Sequence, residues 1–494
     1  MNSLRWGAGA AVVVIGIGLL LQLNTVLVVV TAAAAVSAVL AFLHPKTGLA
    51  ILFGWIAAAD LLKRLLFLGV APGGPPASET EYFWMLVLPD LVLFALLIRA
   101  GYGVLRTRRL PFSPNAMDIL VAAYFGWCLL TVLNPTFPLS VRLAGFKWSG
   151  IYILIFFVVR EQDSRGRDWL VPLRGVVVAG GVAAAAYGLY QAAFGFQDFE
   201  MEWLESGLTN LGGGEGGLGP TISYLGIVRP FSIFASHEQL GWFLAFAMLI
   251  MLTAPRRSPL QWAMIVLLDL ALARTLSRSA WVFLAGGLGL VTVLALYSRR
   301  KKLSVEAVSV GLVFLIAVAF WSQRPIEEQG QVENPYSERA TTLGTYAWRI
   351  YSFEQLLQDP QWRRPFGNGI GSMWVAWRMG AEGTKNPDER ILSHIGSVDQ
   401  IYELGWVGFL IFLAAVGTIA VKGVKRLRRL PEDSQRLLIV GLSVVLAVVL
   451  ANSTVATVLM FRPIAAPFWV ALGMAAGALA QPEQGITVEP MSSS

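Results

Sequence analysis

An all-α polytopic membrane protein with about 12–14 transmembrane helices is predicted by three features of the chain. Its 494 residues are 56% hydrophobic and only 14% charged, with a mean hydropathy of +0.62, far too apolar for soluble domains. The apolar residues fall into runs close to the ~20 needed to cross a hydrocarbon core at 1.5 Å per residue. Lys and Arg cluster in short loops between those runs, where they orient a membrane protein.

The runs lie near 6–22, 24–43, 48–70, 83–101, 117–133, 146–160, 171–194, 233–253, 260–274, 279–297, 303–321, 401–421, 436–459 and 461–480. Arg5 and the apolar Gly7–Leu21 have the look of a signal sequence, but no cleavage site precedes the next run near Val26, so a retained first helix is expected. The run 48–70 carries Asp60, Lys63 and Arg64, and the pairs around Asn24 and Arg462 are joined closely enough to be re-entrant, which sets the range of the count.

Five units follow in order. N-terminal helices with an acidic, Gly-rich loop near 195–232 fill 1–224. Central helices occupy 225–321, a long polar insertion 322–400, and C-terminal helices 401–480. The tail 481–494 has the composition of a disordered end.

Loop charge orients the helices. Arg106/Arg108/Arg109, Arg160/Arg165/Arg167, Arg256/Arg257, Arg299/Arg300/Lys301/Lys302 and Lys422/Lys425/Arg426/Arg428/Arg429 alternate with poorly basic loops, so the basic set is cytoplasmic. Both termini then lie inside, and 71–82, 134–145, 195–232, 275–278 and 322–400 lie outside. The net charge of +7 is this topological bias, not a nucleic-acid footprint. Cys128 is the only cysteine, which excludes an intramolecular disulfide and a Cys-based metal site.

The insertion holds eight basic and ten acidic residues, so its arginines are judged singly. The run Glu338–Leu357 has apolar and aromatic residues at helical spacing, and five prolines divide the insertion into short pieces. His394, one of three histidines, stands at its far end beside the next apolar run. A neutral imidazole with a reference pKa of ~6.5 accepts a proton from a sugar hydroxyl at neutral pH; the alternative is a loop histidine held by structural hydrogen bonds. Glu403 and Asp399 either orient that ring or cap the following helix, and for Asp399 capping is preferred.

Arg274 and Arg278, four residues apart in Arg274-Thr275-Leu276-Ser277-Arg278, would share one face of a helical or near-helical turn, with Asp269 a possible partner for Arg274 and Arg278 then the freer cation of the two for an anionic ligand. The alternative is interfacial snorkelling. Arg229 also precedes a span, with His237 and Glu238 at its entrance. Pro365-Phe366-Gly367-Asn368-Gly369-Ile370-Gly371-Ser372 reads as a sharp turn, since Gly-x-Gly-x-Gly alone is a poor phosphate signal. A Walker lysine, a nucleophile elbow, His-Glu-x-x-His and metal-ligand carboxylate spacing are all missing from the sequence, which disfavours ATP hydrolysis, serine hydrolysis and zinc proteolysis.

Four patches in this order resemble the O-antigen ligase and Wzy-type polymerase family of bacterial membrane glycosyltransferases. They are Arg229-Pro-Phe-Ser-Ile-Phe, Leu276-Ser277-Arg278-Ser279-Ala280, Trp348-Arg349 leading through Asp359-Pro360 to Pro365–Gly371, and His394 followed by Glu403, Gly405 and Gly408. The residues Ile395–Val398 depart from the family's common His-Asn-aromatic-Leu. The resemblance, covering roughly 225–420, implies a GT-C-type helical bundle in the bacterial inner membrane with its active site on the extracytoplasmic face. It implies a glycan on undecaprenyl pyrophosphate as donor, a lipid A core or growing polysaccharide as acceptor, and no cofactor or metal. It makes His394 the catalytic base and Arg278, Arg349 and Arg229 pyrophosphate ligands, with Arg274, Arg339 and Glu403 in support. The motifs leave ligase, polymerase and protein oligosaccharyltransferase open. A transporter or flippase of lipid-linked glycans is the rival class, in which the same arginines would bind without bond cleavage.

Overall fold

The computed structural model describes residues 25–67, 79–205, 223–224, 227–255, 257–322, 354, 358, 360, 364–373, 375–376, 395–454, 459 and 462–480. They form an all-α polytopic membrane protein. In chain order the helices are α1 (Thr25–Leu43), α2 (Pro45–Phe67), α3 (Glu79–Thr107), α4 (Ala116–Thr131), α5 (Leu139–Ser164), α6 (Leu170–Phe194), the short α7 (Asp198–Glu205), α8 (His237–Met251), α9 (Pro259–Arg274), α10 (Arg278–Tyr297), α11 (Lys301–Ser322), α12 (Gly396–Arg426), α13 (Glu432–Thr454) and α14 (Arg462–Ala480). A small hairpin pairs Ser223 with Val228 and Tyr224 with Ile227. Among the described residues eight helices are long and apolar enough to cross a membrane: α3, α5, α6 and α10–α14. Every run marked from 24–43 onward coincides with a helix; 6–22 and the tail 481–494 lie outside the described residues.

Local chemistry sets the helix ends. Asn115 caps α4 by accepting from Met117 N at 2.8 Å, while Asp118 reaches back to Asn115 N at 2.9 Å, a reciprocal capping box. Ser258 and Gln261 form the same box at α9, with Pro259 in its first turn, where a missing N–H costs nothing. Ser236 and Ser277 cap α8 and α10. The middle of α5 tightens from a π segment, Phe146–Gly150, through a 3-10 turn, Ile151–Ile153.

The centre of the bundle is held by α8 and α14, apolar on all sides and buried along almost their whole length, as a helix without a polar face must be. The close packing of α14 against α5 and α13 runs through small residues, Gly473 against Val159 and Gly441 against Ala475, the usual device where lipid gives helices no hydrophobic reason to associate. Arg462 is the first residue of the buried helix α14.

The two ends of the bundle carry different polar networks. At one end Arg160 makes a forked pair with Asp118 at 2.8 and 3.2 Å, Glu306 is shared by Arg257 and Arg436, and Arg300 meets Glu432 at 2.9 Å. The exposed Lys46–Asp168 pair sits there too; the hydrogen bond from Lys46, then its charge, holds the Asp168 carboxyl below its usual range. At the other end lie Arg64, Gln191, Arg229, Arg274, Arg278, Trp321 and the start of α12. Contacts between helix ends support this grouping: Arg64 donates to Ser232 O at 2.5 Å, Arg274 stacks over Trp321 at 4.9 Å, and Trp242 donates to Ser279 at 3.1 Å, while the far end of α12 meets the first network's end, Arg426 donating to Leu479 O at 2.8 Å.

Candidate functional site

The helix α12 is broken where it leaves the site-bearing end. Gly405 adopts φ 71° and ψ 175° inside it, a conformation that an L side chain resists. The break leaves backbone groups without helical partners, and the turn Pro365–Ser372 supplies them. Asn368 N donates to Tyr402 O at 2.9 Å, Gly369 N to Glu403 O at 3.0 Å, and Val407 N to Pro365 O at 3.1 Å. Trp127 Nε1 completes the set on Leu404 O at 2.8 Å. Gly367, at φ 69°, lies so close that a Cβ would overlap the Glu403 carbonyl. The glycines of this motif therefore serve backbone docking, and the amides of Asn368 and Gly369 are spent on protein carbonyls instead of pointing at a phosphate.

Beside the break a small cleft opens between α4, α5 and α12–α14. Its polar lining is Ser149, Asp399, Gln400, Glu403 and Asn452; Tyr124 and Trp469 supply aromatic faces, stacked 6.1 Å apart. Glu403 Oε1 accepts from Met373 N at 3.1 Å, so this carboxylate fixes the Gly-rich turn from the cleft wall. Helix α12 begins at Gly396 with Ile395 as its cap and no side-chain capping bond. Asp399 consequently stands in the first turn, where its charge suits the helix dipole, and lines the cleft instead of capping.

The predicted arginines fall into three settings. Arg229 is buried against His237 Nε2, at the first turn of α8. Arg278 opens α10 half-buried. Arg274 closes α9, stacks on Trp321 and points one guanidinium nitrogen at Ala192 O, 3.5 Å away. Two expectations are corrected here. The Arg274–Arg278 segment is not a continuing helical turn, because Leu276 has φ 53° and Ser277 is extended, so the two arginines belong to separate helices. Asp269 does not pair with Arg274: five residues along one helix lie about 140° apart, and neither Asp269 oxygen has a hydrogen-bond partner among the described residues. His394, Arg349 and Arg339, with most of the 322–400 insertion, lie outside the described residues.

A second cluster was not foreseen from the motifs. Arg64 joins Glu200 at 3.4 Å and Ser232 O, and Gln191 donates to Glu200 at 2.6 Å while accepting from Ser232 N at 2.7 Å. Lys63 meets Asp60 at 3.3 Å, and Asp90 receives Tyr152 Oη at 2.8 Å with Lys147 3.6 Å away. Glu200, from the acidic loop, is buried in this network and clips α7 to α2 and α6. The only sequence signal was polar or charged residues inside apolar runs, and for the cleft it was fainter still, the uncharged Asn452 and Ser149. Neither models of known protein families nor curated proteins gave a match to the chain. Among the described residues no group of three or more His, Cys, Asp or Glu is placed to hold a metal.

Proposed function

We propose that this protein is a membrane glycosyltransferase that moves a glycan from undecaprenyl pyrophosphate to an acceptor sugar hydroxyl, in the manner of O-antigen ligases and polymerases. The observation that carries the reading is the polar cleft at the start of α12, lined by Gly396, two residues beyond His394 in sequence; a two-residue tether reaches at most about 7 Å. A base that the sequence ties within two residues of a polar cleft, at the bundle end that also carries Arg229 and Arg278, suits a reaction between a sugar hydroxyl and a lipid-borne diphosphate. The basic opposite end supports a cytoplasmic orientation for that end, leaving the site on the extracytoplasmic face of the bacterial inner membrane.

In this mechanism the acceptor hydroxyl gives its proton to the His394 imidazole and its oxygen forms the new bond to the anomeric carbon. The bond from that carbon to the pyrophosphate oxygen breaks, its electron pair leaves with undecaprenyl pyrophosphate, and the configuration inverts. Guanidinium groups of Arg278 and Arg349, always charged and able to fork two hydrogen bonds, stabilise the charge that grows on the diphosphate. Arg229, held against His237, contributes positive charge from its buried position.

Sealed proteoliposomes with donor and acceptor outside test the reading. Release of undecaprenyl pyrophosphate with extension of the acceptor, without ATP or an ion gradient, is expected. Passage of the intact donor across the bilayer would make the protein a flippase. The acceptor that is extended, whether lipid A core, lipid-linked glycan or protein side chain, separates ligase from polymerase and oligosaccharyltransferase.

A further inference from the structure

We infer that the α10–α11 and α12–α13 turns together form a binding surface for the phosphate headgroups of anionic phospholipids, at the bundle end opposite the candidate site. All four helices are long and apolar enough to cross a membrane, so the turns at their ends lie at its surface. Far apart in sequence, the two turns are joined in space. Arg428 Nε donates to Tyr297 O at 2.8 Å, with its guanidinium 4.0 Å above the Tyr297 ring. Arg300 donates to Gln435 at 2.6 Å and pairs with Glu432 at 2.9 Å. Residues 299–302 and 422–433 hold nine basic side chains and two acidic ones, and of those two Glu432 is already engaged by Arg300. The surface does not depend on the reaction proposed for the other end.

The placement of the remaining charge points to the ligand. Lys301 and Lys302 are exposed in the first turn of α11, the end at which a helix dipole opposes positive charge. That turn holds no acid, and among the described residues neither lysine has an acidic partner. Lys422 and Lys425, exposed near the end of α12, are likewise without an acidic partner there. The α11 lysines therefore do nothing for their own helix, and the excess charge is left for an anion from outside the chain. A free phosphate would meet the charge alone, whereas a phospholipid also uses the surface around it. Leu296 on α10, Val305 and Val308 on α11, and Val421 and Val424 on α12 are exposed apolar side chains beside or within two turns of the cations, placed for acyl chains below a headgroup. Tyr297, also exposed, has the amphipathic ring that settles at a membrane interface. Basic clusters at the ends of membrane helices recognise anionic lipid in this way.

The test is native mass spectrometry with thermal melting of the full chain in mild detergent, titrated with phosphatidylglycerol or with phosphatidylcholine of the same acyl chains. Phosphatidylglycerol is expected to bind saturably, more tightly than phosphatidylcholine, and to raise the melting temperature. The paired variants Lys301→Gln/Lys302→Gln and Lys422→Gln/Lys425→Gln should each weaken phosphatidylglycerol binding roughly tenfold. All four lysines are exposed, so these variants are expected to fold. Arg106→Gln/Arg108→Gln/Arg109→Gln removes exposed cations from another turn at the same end and should bind the lipid as wild type does. Equal affinity for the two lipids, an equal loss in the Arg106/Arg108/Arg109 variant, or unchanged binding in both lysine pairs overturns the surface. Displacement of the lipid by excess inorganic phosphate overturns it too, because the patch would then be a free-phosphate site.

Discussion

Asn368 meets the carbonyl oxygen of Tyr402 twice, from its backbone N–H at 2.9 Å and from its side-chain amide at 3.1 Å. One residue of the Gly-rich turn thus saturates a carbonyl that the break in α12 has released from helical bonding. The turn and the break are two halves of one structure, and the cleft wall exists only when they are joined. Arg364, donating to Asn368 Oδ1 at 3.0 Å, fixes which way that amide faces.

Gly405→Ala tests that joint. The substitution places a methyl group against the Pro365 carbonyl in a left-handed conformation, and the backbone strain alone costs about 1–3 kcal/mol. A clear fall in apparent melting temperature in detergent is expected. Gly417→Ala, in the same helix with open space around it, is expected to melt like wild type. Equal melting of the two variants would mean that the break is not braced by the turn.

The buried Arg64–Glu200 pair, at 1% and 0% side-chain exposure, makes a second prediction. Removing one partner leaves a charge stranded in the bundle at a cost of ~3–5 kcal/mol, so Arg64→Met and Glu200→Met should each destabilise strongly. The double variant should lose less than the sum of the two, a coupling read from a double-mutant cycle of unfolding in increasing SDS. Additive losses would show that the pair acts only through its separate bonds to Ser232 and Gln191.

Much of the helical order was legible because a membrane span needs ~20 apolar residues and little else. Position within the bundle was not. The runs that became α8 and α14 look no more central than α11, yet they form the interior, since depth depends on which faces are covered by neighbours. Arg274 and Arg278 misled because a spacing of four means one face only inside one helix, and Leu276 at φ 53° ends it. Asp269, expected beside Arg274, failed for the related reason that a residue five along points elsewhere. The cleft was invisible as a motif: Tyr124, Asn452 and Trp469 come from helices far apart in sequence, and each alone reads as ordinary core.

Orientation gives a third prediction. In a Cys128→Ala background, a cysteine at Ser393 should react with an impermeant thiol reagent on intact cells, and cysteines at Lys301 or Lys422 only after the membrane is opened. Cys128 itself is buried, so its removal serves chiefly to lower background. Labelling of Ser393→Cys only in opened membranes would invert the topology and remove the donor from the site's side.

Arg278 is expected to hold the diphosphate by its planar fork. Arg278→Lys keeps the charge but offers one point donor group in place of the fork, and turnover should stay at least tenfold below wild type at saturating acceptor. Full activity in the lysine variant would assign the residue to general charge attraction or to anchoring of α10 alone.

If His394 accepts the hydroxyl proton, His394→Ala should lower kcat by roughly 10²–10⁴-fold, the usual worth of a positioned general base, with the apparent affinity for the lipid-linked donor little changed. The reason for that split is that the imidazole acts on the acceptor oxygen as the bond forms, whereas the donor is gripped by guanidinium groups on other segments. His394→Gln, which retains hydrogen bonding but not basicity, should resemble the alanine variant. Activity in His394→Gln near wild type would make the residue a hydrogen-bonding support, and the proton would then have to leave through one of the cleft carboxylates, Asp399 or Glu403.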